Sequence, residues 1–406
     1  MTHCTSRIPR YEIVWAQIAL LYLFWGILLM AGAGRYKTGF YIAFLTPALI
    51  FFCLRPGVWL ERLQWRHNLP LAALLLFLFY ASLSALWSDS DKGFLDHLKY
   101  GYYVLVLYMT FSALLMNERR TFQTFTVAVV GSLLFLLSQA AWQFYSGQWF
   151  EGMRFRGGLG AIQNDLWASH LFGSYTIILL AYVVLTPMNA VRWKPLLIIL
   201  TGSMTLLLLN GSRTPFAGIF AAVFLVSLLL WNRKSMFIIS AAAMLAALLI
   251  WCFSDTLLER GLSHRPEIWS KVIALSKGHY LWGMGIDHSI EITLANGDQY
   301  IDAHSIPVAI FYYLGAVGLT LWAGLIATVL MTARRYRYDR MVVAAAGWVM
   351  FGQVAGLFEG ASVLSRPKEH WFIIWVPLAF FLAAYARARR LAAAPPPPAA
   401  PAPGNG

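Results

Sequence analysis

Charge is what this chain has least of. Only 12% of its 406 residues are Asp, Glu, Lys or Arg, against about a quarter in an ordinary globular domain, so a single soluble core is excluded. Cysteine is scarce too. Cys4, Cys53 and Cys252 are too few and too scattered for a disulfide framework, and at least two of them lie in or beside apolar runs, where a thiol serves as a small core residue. There is no Gly-rich nucleotide loop and no Gly-x-Ser-x-Gly elbow, which speaks against an intramembrane serine protease. No internal repeat stands out and no nucleic-acid-binding motif is present. The first apolar run, from about Ile13 to Met30, is too long for a signal-peptide core and lacks a small-residue cleavage site, so it reads as a retained helix.

What the chain has instead is hydrophobicity, at 59% of residues. Apolar runs of about twenty residues recur along it, each long enough to cross a hydrocarbon core of about 30 Å. A transmembrane barrel would need short alternating strands, whereas these runs are continuous. The fold expected is an all-α, polytopic transmembrane helical bundle of about twelve spans. The runs lie near 13–31, 39–54, 70–87, 99–117, 122–145, 167–186, 194–210, 214–231, 236–253, 305–332, 341–358 and 370–386. Residues 1–253 carry spans one to nine, 254–304 form one large external loop, and 305–390 carry spans ten to twelve. The Pro/Ala-rich tail 391–406 cannot bury a core and is expected to be disordered.

Lysine and arginine placement sets the orientation. With the N-terminus inside, the inner segments hold 18 of the 31 basic residues and only four acids, Glu12, Glu61, Glu118 and Asp339. The outer segments hold 13 basic residues and 14 acids. The net charge of +13 therefore reflects topology and gives no reason to invoke nucleic acid. Both termini are expected in the cytoplasm.

Several outer residues stand out against this background. Arg213 sits in the turn "NGSRTPF", Arg265 opens a helix-like stretch "SHRPEIWSKVIALSK", and Arg154 and Arg156 sit in "GMRFRGGLG". Basic residues snorkel to lipid phosphates in any membrane protein, but four on the depleted face are more than anchoring needs. A guanidinium fork can hold two phosphate oxygens, and the helix start at Arg265, with Pro266 in its first turn, adds free N–H groups that favour an anion. His264, beside it, joins Arg154, Arg156 and Asp302 as a candidate substrate contact. Ile268, Trp269, Val272, Ile273 and Ser276 fall on one face, so this helix should lie on the membrane or against the spans.

His304, in "IDAHSIP", is the outstanding titratable group, because an imidazole suits a general base near neutral pH. Asp302 either orients that ring or caps the following helix. The acids and histidines Asp287, His288, Glu291, Asp302 and His304 form a loose cluster whose spacing matches no metal signature. Outer aromatic residues (Trp142, Tyr145, Trp149, Phe150, Tyr280, Trp282, Tyr300) could stack on sugars or simply form an interfacial belt.

Three blocks in order resemble the O-antigen ligase and polymerase superfamily: "LLLLNGSRTPFAGIFAAVFL", "RGLSHRPEIWSKVIALSKGHYLWGMGI" and "DAHSIPVAIFYYLGAVGLTLWAGLIA". The resemblance is close over about residues 200–332, and the span layout extends it along the chain. It implies a GT-C-like glycosyltransferase of the bacterial inner membrane with its active site facing the periplasm. The donor it implies is an undecaprenyl-pyrophosphate-linked glycan and, for the ligase branch, the acceptor is the lipid A–core of lipopolysaccharide. It puts Arg213, Arg265 and His304 on the family's functional arginines and histidine. Many members have Asn after that histidine, where this chain has Ser305. No cofactor is implied, and arginines can stabilise a departing pyrophosphate without a metal. An O-antigen polymerase, a protein O-oligosaccharyltransferase and a membrane transporter or flippase are the alternatives. The modest outer loop and "SRPKEHWFIIWVPLA" favour the ligase branch.

Overall fold

The computed structural model describes residues 9–66, 68–148, 153–232, 264–360 and 363–393. Among these, nine helices are long and apolar enough to cross a membrane. They are α1 (Arg10–Leu29), α2 (Ala33–Leu54), α3 (Leu69–Leu86), α5 (Glu118–Tyr145), α6 (Asp165–Leu185), α7 (Trp193–Asn210), α10 (Ile306–Arg335), α11 (Arg340–Phe358) and α12 (Glu369–Ala393). Helices α4 (Phe94–Leu114) and α8 (Thr214–Leu230) fall on two further expected runs. The ninth expected span, 236–253, and the tail from 394 onward lie outside the described residues, as does the part of the large loop before His264.

Short polar side chains start the apolar helices. Asn68 Oδ1 accepts from Leu71 N–H at 3.1 Å, Asn117 Oδ1 from Arg120 N–H at 3.0 Å, and Asn164 Oδ1 from Leu166 N–H at 2.8 Å. Asp339 Oδ1 does the same for Met341 N–H at 2.9 Å. Each satisfies a backbone donor that a helix start leaves orphaned. In the interior, small residues let helices approach closely, as membrane packing requires. A Cβ on Gly218 of α8 would meet Phe351 O of α11 at 2.7 Å. Helix α12 runs through the middle of the bundle, with 94% of its apolar window buried, whereas α2 lies at the edge with 17%.

Three expectations change. Helix α2 begins at Ala33 rather than near 39, because the polar stretch "GRYKTGF" continues the helix beyond the apolar run. Span ten is not continuous. At Gly315 the backbone turns to φ 63°, ψ −166°, and the loop 280–285 inserts there. Met284 N–H and Gly285 N–H donate to Tyr312 O and Tyr313 O, both at 2.9 Å, and Ala316 N–H donates to Tyr280 O at 2.8 Å. A Cβ on Gly315 would collide with the Leu281 carbonyl, so both the φ and the close approach require glycine. Finally, the chain is not purely helical. β1 (Ile292–Thr293) pairs antiparallel with β2 (Gln299–Tyr300), closed by a turn containing Asn296 and Gly297, whose φ is 91°. Asn-Gly between short strands is a hairpin signal.

Helix α9 (Arg265–Leu275) forms as expected within the loop. Ile268, Val272 and Ser276 are buried, while Ile273 is exposed. The buried face packs against α10.

Candidate active site

The ends of α9, α10 and α11 converge on one carboxylate. Glu359, the residue after α11, is 1% exposed along its side chain. Its Oε1 accepts from Arg265 Nη2 at 2.6 Å, and Arg265 Nε donates to the neighbouring Phe358 O at 2.8 Å. Its Oε2 stands 3.6 Å from His304 Nδ1, an ion-pair contact too long for a hydrogen bond. One buried acid thus ties together the arginine and the histidine singled out in the sequence, residues 39 apart in number. Glu359 itself was not anticipated. The signal available was one acid at the mouth of an apolar run, in "AGLFEGAS", where ionisable groups are costly.

Asp302 lies against the His304 ring and does not cap α10. Its Oδ1 accepts the backbone N–H of His304 at 2.8 Å and lies 3.2 Å from Nδ1 of the same ring. The first contact closes a local turn that holds His304 at φ 45°, a left-handed conformation uncommon for a side-chain-bearing residue. Ser305 then occupies the N-cap of α10 without making a side-chain capping bond. Tyr300 meets the His304 ring edge-on at 5.6 Å. With Nδ1 facing two carboxylates, Nε2 is the ring nitrogen left without a partner among the described residues.

Electrostatics follow from this arrangement. Burial on its own would lower the His304 pKa, but the adjacent Glu359 and Asp302 carboxylates outweigh burial and the Arg265 charge, so the pKa sits above the ordinary histidine value. Burial pushes the Glu359 carboxyl up, yet His304, His170 and Arg265 together hold it below the usual glutamate value. His170, fully buried in α6, is the second group that the sequence reading missed. Neither of its ring nitrogens has a hydrogen-bond partner among the described residues.

The other sequence candidates are distributed around this centre. Arg213 precedes α8 and is exposed, without a partner among the described residues. Helix α8 runs antiparallel to α11: Gly218 packs at Phe351, and Gly347 faces Ala222. That register puts Arg213 near the level of Gly356, at the Glu359 end of α11. Arg154 and Arg156 flank the buried Phe155, whose N–H donates to Leu209 O at 3.0 Å and whose carbonyl accepts from Asn210 Nδ2 at 2.9 Å. Their loop is therefore fastened to the turn that carries Arg213. Arg156 lies 3.6 Å from Asp165 in an exposed pair. His264 is exposed in a left-handed conformation at the start of α9.

Two refinements bear on phosphate binding. Two N–H groups of the Arg265 fork are already engaged, so only the remainder can face a ligand. The first turn of α9 also contains Glu267, which takes Ala295 N–H at 2.9 Å and Lys271 at 3.3 Å. An anion at that helix start would meet a carboxylate. The loose Asp/His cluster does not converge. His288 pairs with Asp89, and Asp287 with Lys92 at 2.5 Å. Among the described residues no group of three or more His, Cys, Asp or Glu side chains is placed to hold a metal ion.

Comparison with known proteins bears on this geometry. Residues 195–323, which contain Arg213, Arg265 and His304, match the family model described as O-antigen ligase. Over 397 residues, 96% of this chain and 94% of the relative, the sequence is 32% identical to the O-antigen ligase of Pseudomonas aeruginosa strain PAO1. Identity at that level along nearly the whole length of both proteins, together with a multi-pass helical bundle, means that this chain belongs to the O-antigen ligase family.

Proposed function

We propose that the protein is a glycosyltransferase of the bacterial inner membrane that moves a glycan from undecaprenyl pyrophosphate to the lipid A–core of lipopolysaccharide, on the periplasmic face. The observation that carries this reading is Glu359. It sets a guanidinium on one carboxylate oxygen and an imidazole near the other, which pairs a charge for a leaving diphosphate with a base for an attacking hydroxyl.

His304 Nε2 takes the proton of the acceptor hydroxyl as its oxygen bonds to the anomeric carbon. The bond from that carbon to the pyrophosphate oxygen breaks, and its electron pair leaves with the lipid pyrophosphate. Attack opposite the leaving group inverts the anomeric centre. Asp302 beside Nδ1 fixes the ring, and the Asp302 and Glu359 charges stabilise the imidazolium formed. The unengaged side of Arg265 and the whole fork of Arg213 stabilise the departing charge, and Arg154 and Arg156 reach toward the glycan or its phosphates. This division of labour requires no metal, because guanidinium groups supply the positive charge. His304 is 24% exposed along its side chain, so its proton can return to solvent.

The test is transfer in vitro from lipid-linked glycan to lipid A–core, a glycan chain end and a protein acceptor offered in turn, with and without a chelator. Transfer to lipid A–core that survives chelation, and that falls about 10²–10⁴-fold in His304→Ala, supports the proposal. Full activity in His304→Ala, or transfer only to one of the other acceptors, contradicts it.

A further inference from the structure

The hairpin β1–β2 links the two halves of the site. Helix α9 begins at Arg265, and two of its later side chains hold the hairpin. Glu267 Oε1 accepts the Ala295 N–H at 2.9 Å, and Lys271 Nζ donates to Thr293 O at 2.5 Å. The two side chains also pair with each other at 3.3 Å. Within the hairpin, Leu294 N–H donates to Asp298 O at 2.8 Å, and Asn296 Oδ1 accepts the Asp298 N–H at 3.1 Å. Ile292 and Leu294 are buried, so the hairpin is packed as well as tied.

This framework delivers Tyr300 to the catalytic ring. Tyr300 stands opposite Ile292 in the ladder, and directly opposed side chains share one face of a β pair, which seats its body against the core. Its ring centre lies 5.6 Å from that of His304, with the two planes at 82°. The side chain stays half-buried, and its hydroxyl has no hydrogen-bond partner among the described residues. A stiff aromatic body with an unused polar tip can meet a ligand at little cost in side-chain entropy.

The geometry around His304 says which ligand that is. Asp302 at 3.2 Å and Glu359 at 3.6 Å occupy the Nδ1 side of the ring. An attacking hydroxyl therefore meets Nε2, about 3 Å beyond the imidazole. The pyranose carrying that hydroxyl is then within contact range of an aromatic ring only 5.6 Å from the imidazole. The C–H face of a sugar packs on the negative face of an aromatic ring. We propose that Tyr300 is an acceptor-binding residue, which packs against the sugar whose hydroxyl reaches His304 Nε2, and that Glu267 and Lys271 are positioning residues that hold its hairpin in place. This inference rests on the reading of the protein as a glycan transferase.

The experiment uses the full chain in lipid bilayers and measures kcat and KM separately for lipid A–core and for the lipid-linked donor. Tyr300→Ala should raise the acceptor KM about tenfold, the scale of losing one aromatic contact and its buried area, and leave the donor KM within about twofold. Tyr300→Phe should keep the acceptor KM within about threefold of the wild type, whereas Tyr300→Leu, which fills space without a flat face, should resemble Tyr300→Ala. Glu267→Ala should raise the acceptor KM by about threefold, and less than that when Tyr300 is already alanine, because both changes act on one contact. An acceptor KM that is unchanged in Tyr300→Ala, or restored in Tyr300→Leu, overturns the proposal, since the ring would then only pack the imidazole. So does an equal rise in the donor KM. Fully additive effects of Glu267→Ala and Tyr300→Ala overturn the role given to the hairpin. Wild-type protein that transfers to no acceptor contradicts the proposed function instead. Binding of lipid A–core without donor, compared between wild type and Tyr300→Leu at equal thermal midpoint, then decides the role of Tyr300: weaker binding to the variant supports it and equal binding overturns it.

Discussion

The two ends of this bundle use the same residue types to different purposes. At the end bearing Arg62 and Arg387, every named guanidinium is fastened. Arg62 pairs with Glu12 at 2.6 Å, with both side chains buried. Arg387 is held by Asp339 at 3.0 Å and by Glu118. Arg390 donates to the Arg62 carbonyl, and Arg389 to the Arg66 carbonyl at 3.3 Å. These contacts staple the C-terminal helix to the starts of α5 and α11 and to the segment before α3, which Arg62 ties in turn to α1. At the other end, valences are left over. Arg265 keeps part of its fork, Arg213 has no partner among the described residues, and His304 keeps Nε2. Charges that close on one another hold a fold together, whereas charges that do not are available to a ligand.

Substitutions can break this contrast, and the largest effect should come from the shared carboxylate. Glu359→Gln keeps the shape but removes the charge that orients His304 and balances Arg265. Transfer should fall about 10²–10³-fold, measured as kcat/KM with lipid-linked donor, and the loss in activity should exceed what the change in thermal midpoint explains. At the other end the pattern should reverse. Glu12→Ala leaves Arg62 buried and unpaired, which destabilises by about 3–5 kcal/mol. Thermal unfolding in detergent should show this, while turnover per folded molecule stays near that of the wild type. Unchanged stability in Glu12→Ala would remove the distinction between the ends. A smaller effect is expected from Arg213→Lys, which keeps the charge but loses the bidentate fork. It should cost about tenfold in kcat/KM, and a loss as large as that of Glu359→Gln would mean that Arg213 carries more of the leaving-group charge than Arg265.

Much of this arrangement is legible in the amino-acid sequence. Hydropathy finds the spans, because an unpaired backbone in lipid must be helical and an apolar run of about twenty residues has few other uses. The scarcity of charge also marks Arg213, Arg265 and His304, since each stands out on a face where basic residues are depleted. The Asp302–His304 relation is visible because i and i+2 are neighbours in a turn or extended segment. Glu359 is not visible, because its partners lie 55 and 94 residues away in number and only the convergence of α9, α10 and α11 brings them together. His170 is hidden in the same way, as one polar residue inside an apolar span. The break at Gly315 escapes hydropathy, which does not register where another segment's backbone enters. It depends on Gly283 and Gly285 approaching through loop 280–285, a contact between sequence-distant glycines. The Asn296-Gly297 turn is a local signal, outweighed by the helical character of everything around it.

The central claim is that Glu359 sets the protonation of His304, and the pH dependence of transfer tests it directly. The two carboxylates raise the His304 pKa above its ordinary value, so wild-type activity should rise with pH through a midpoint above about 6.5, as the imidazole loses its proton and becomes a base. Glu359→Gln removes one of the raising charges and leaves Arg265 to act against the imidazolium, so the residual activity should show its acid limb displaced to lower pH. An acid limb that stays in place, with turnover little changed, would contradict the account.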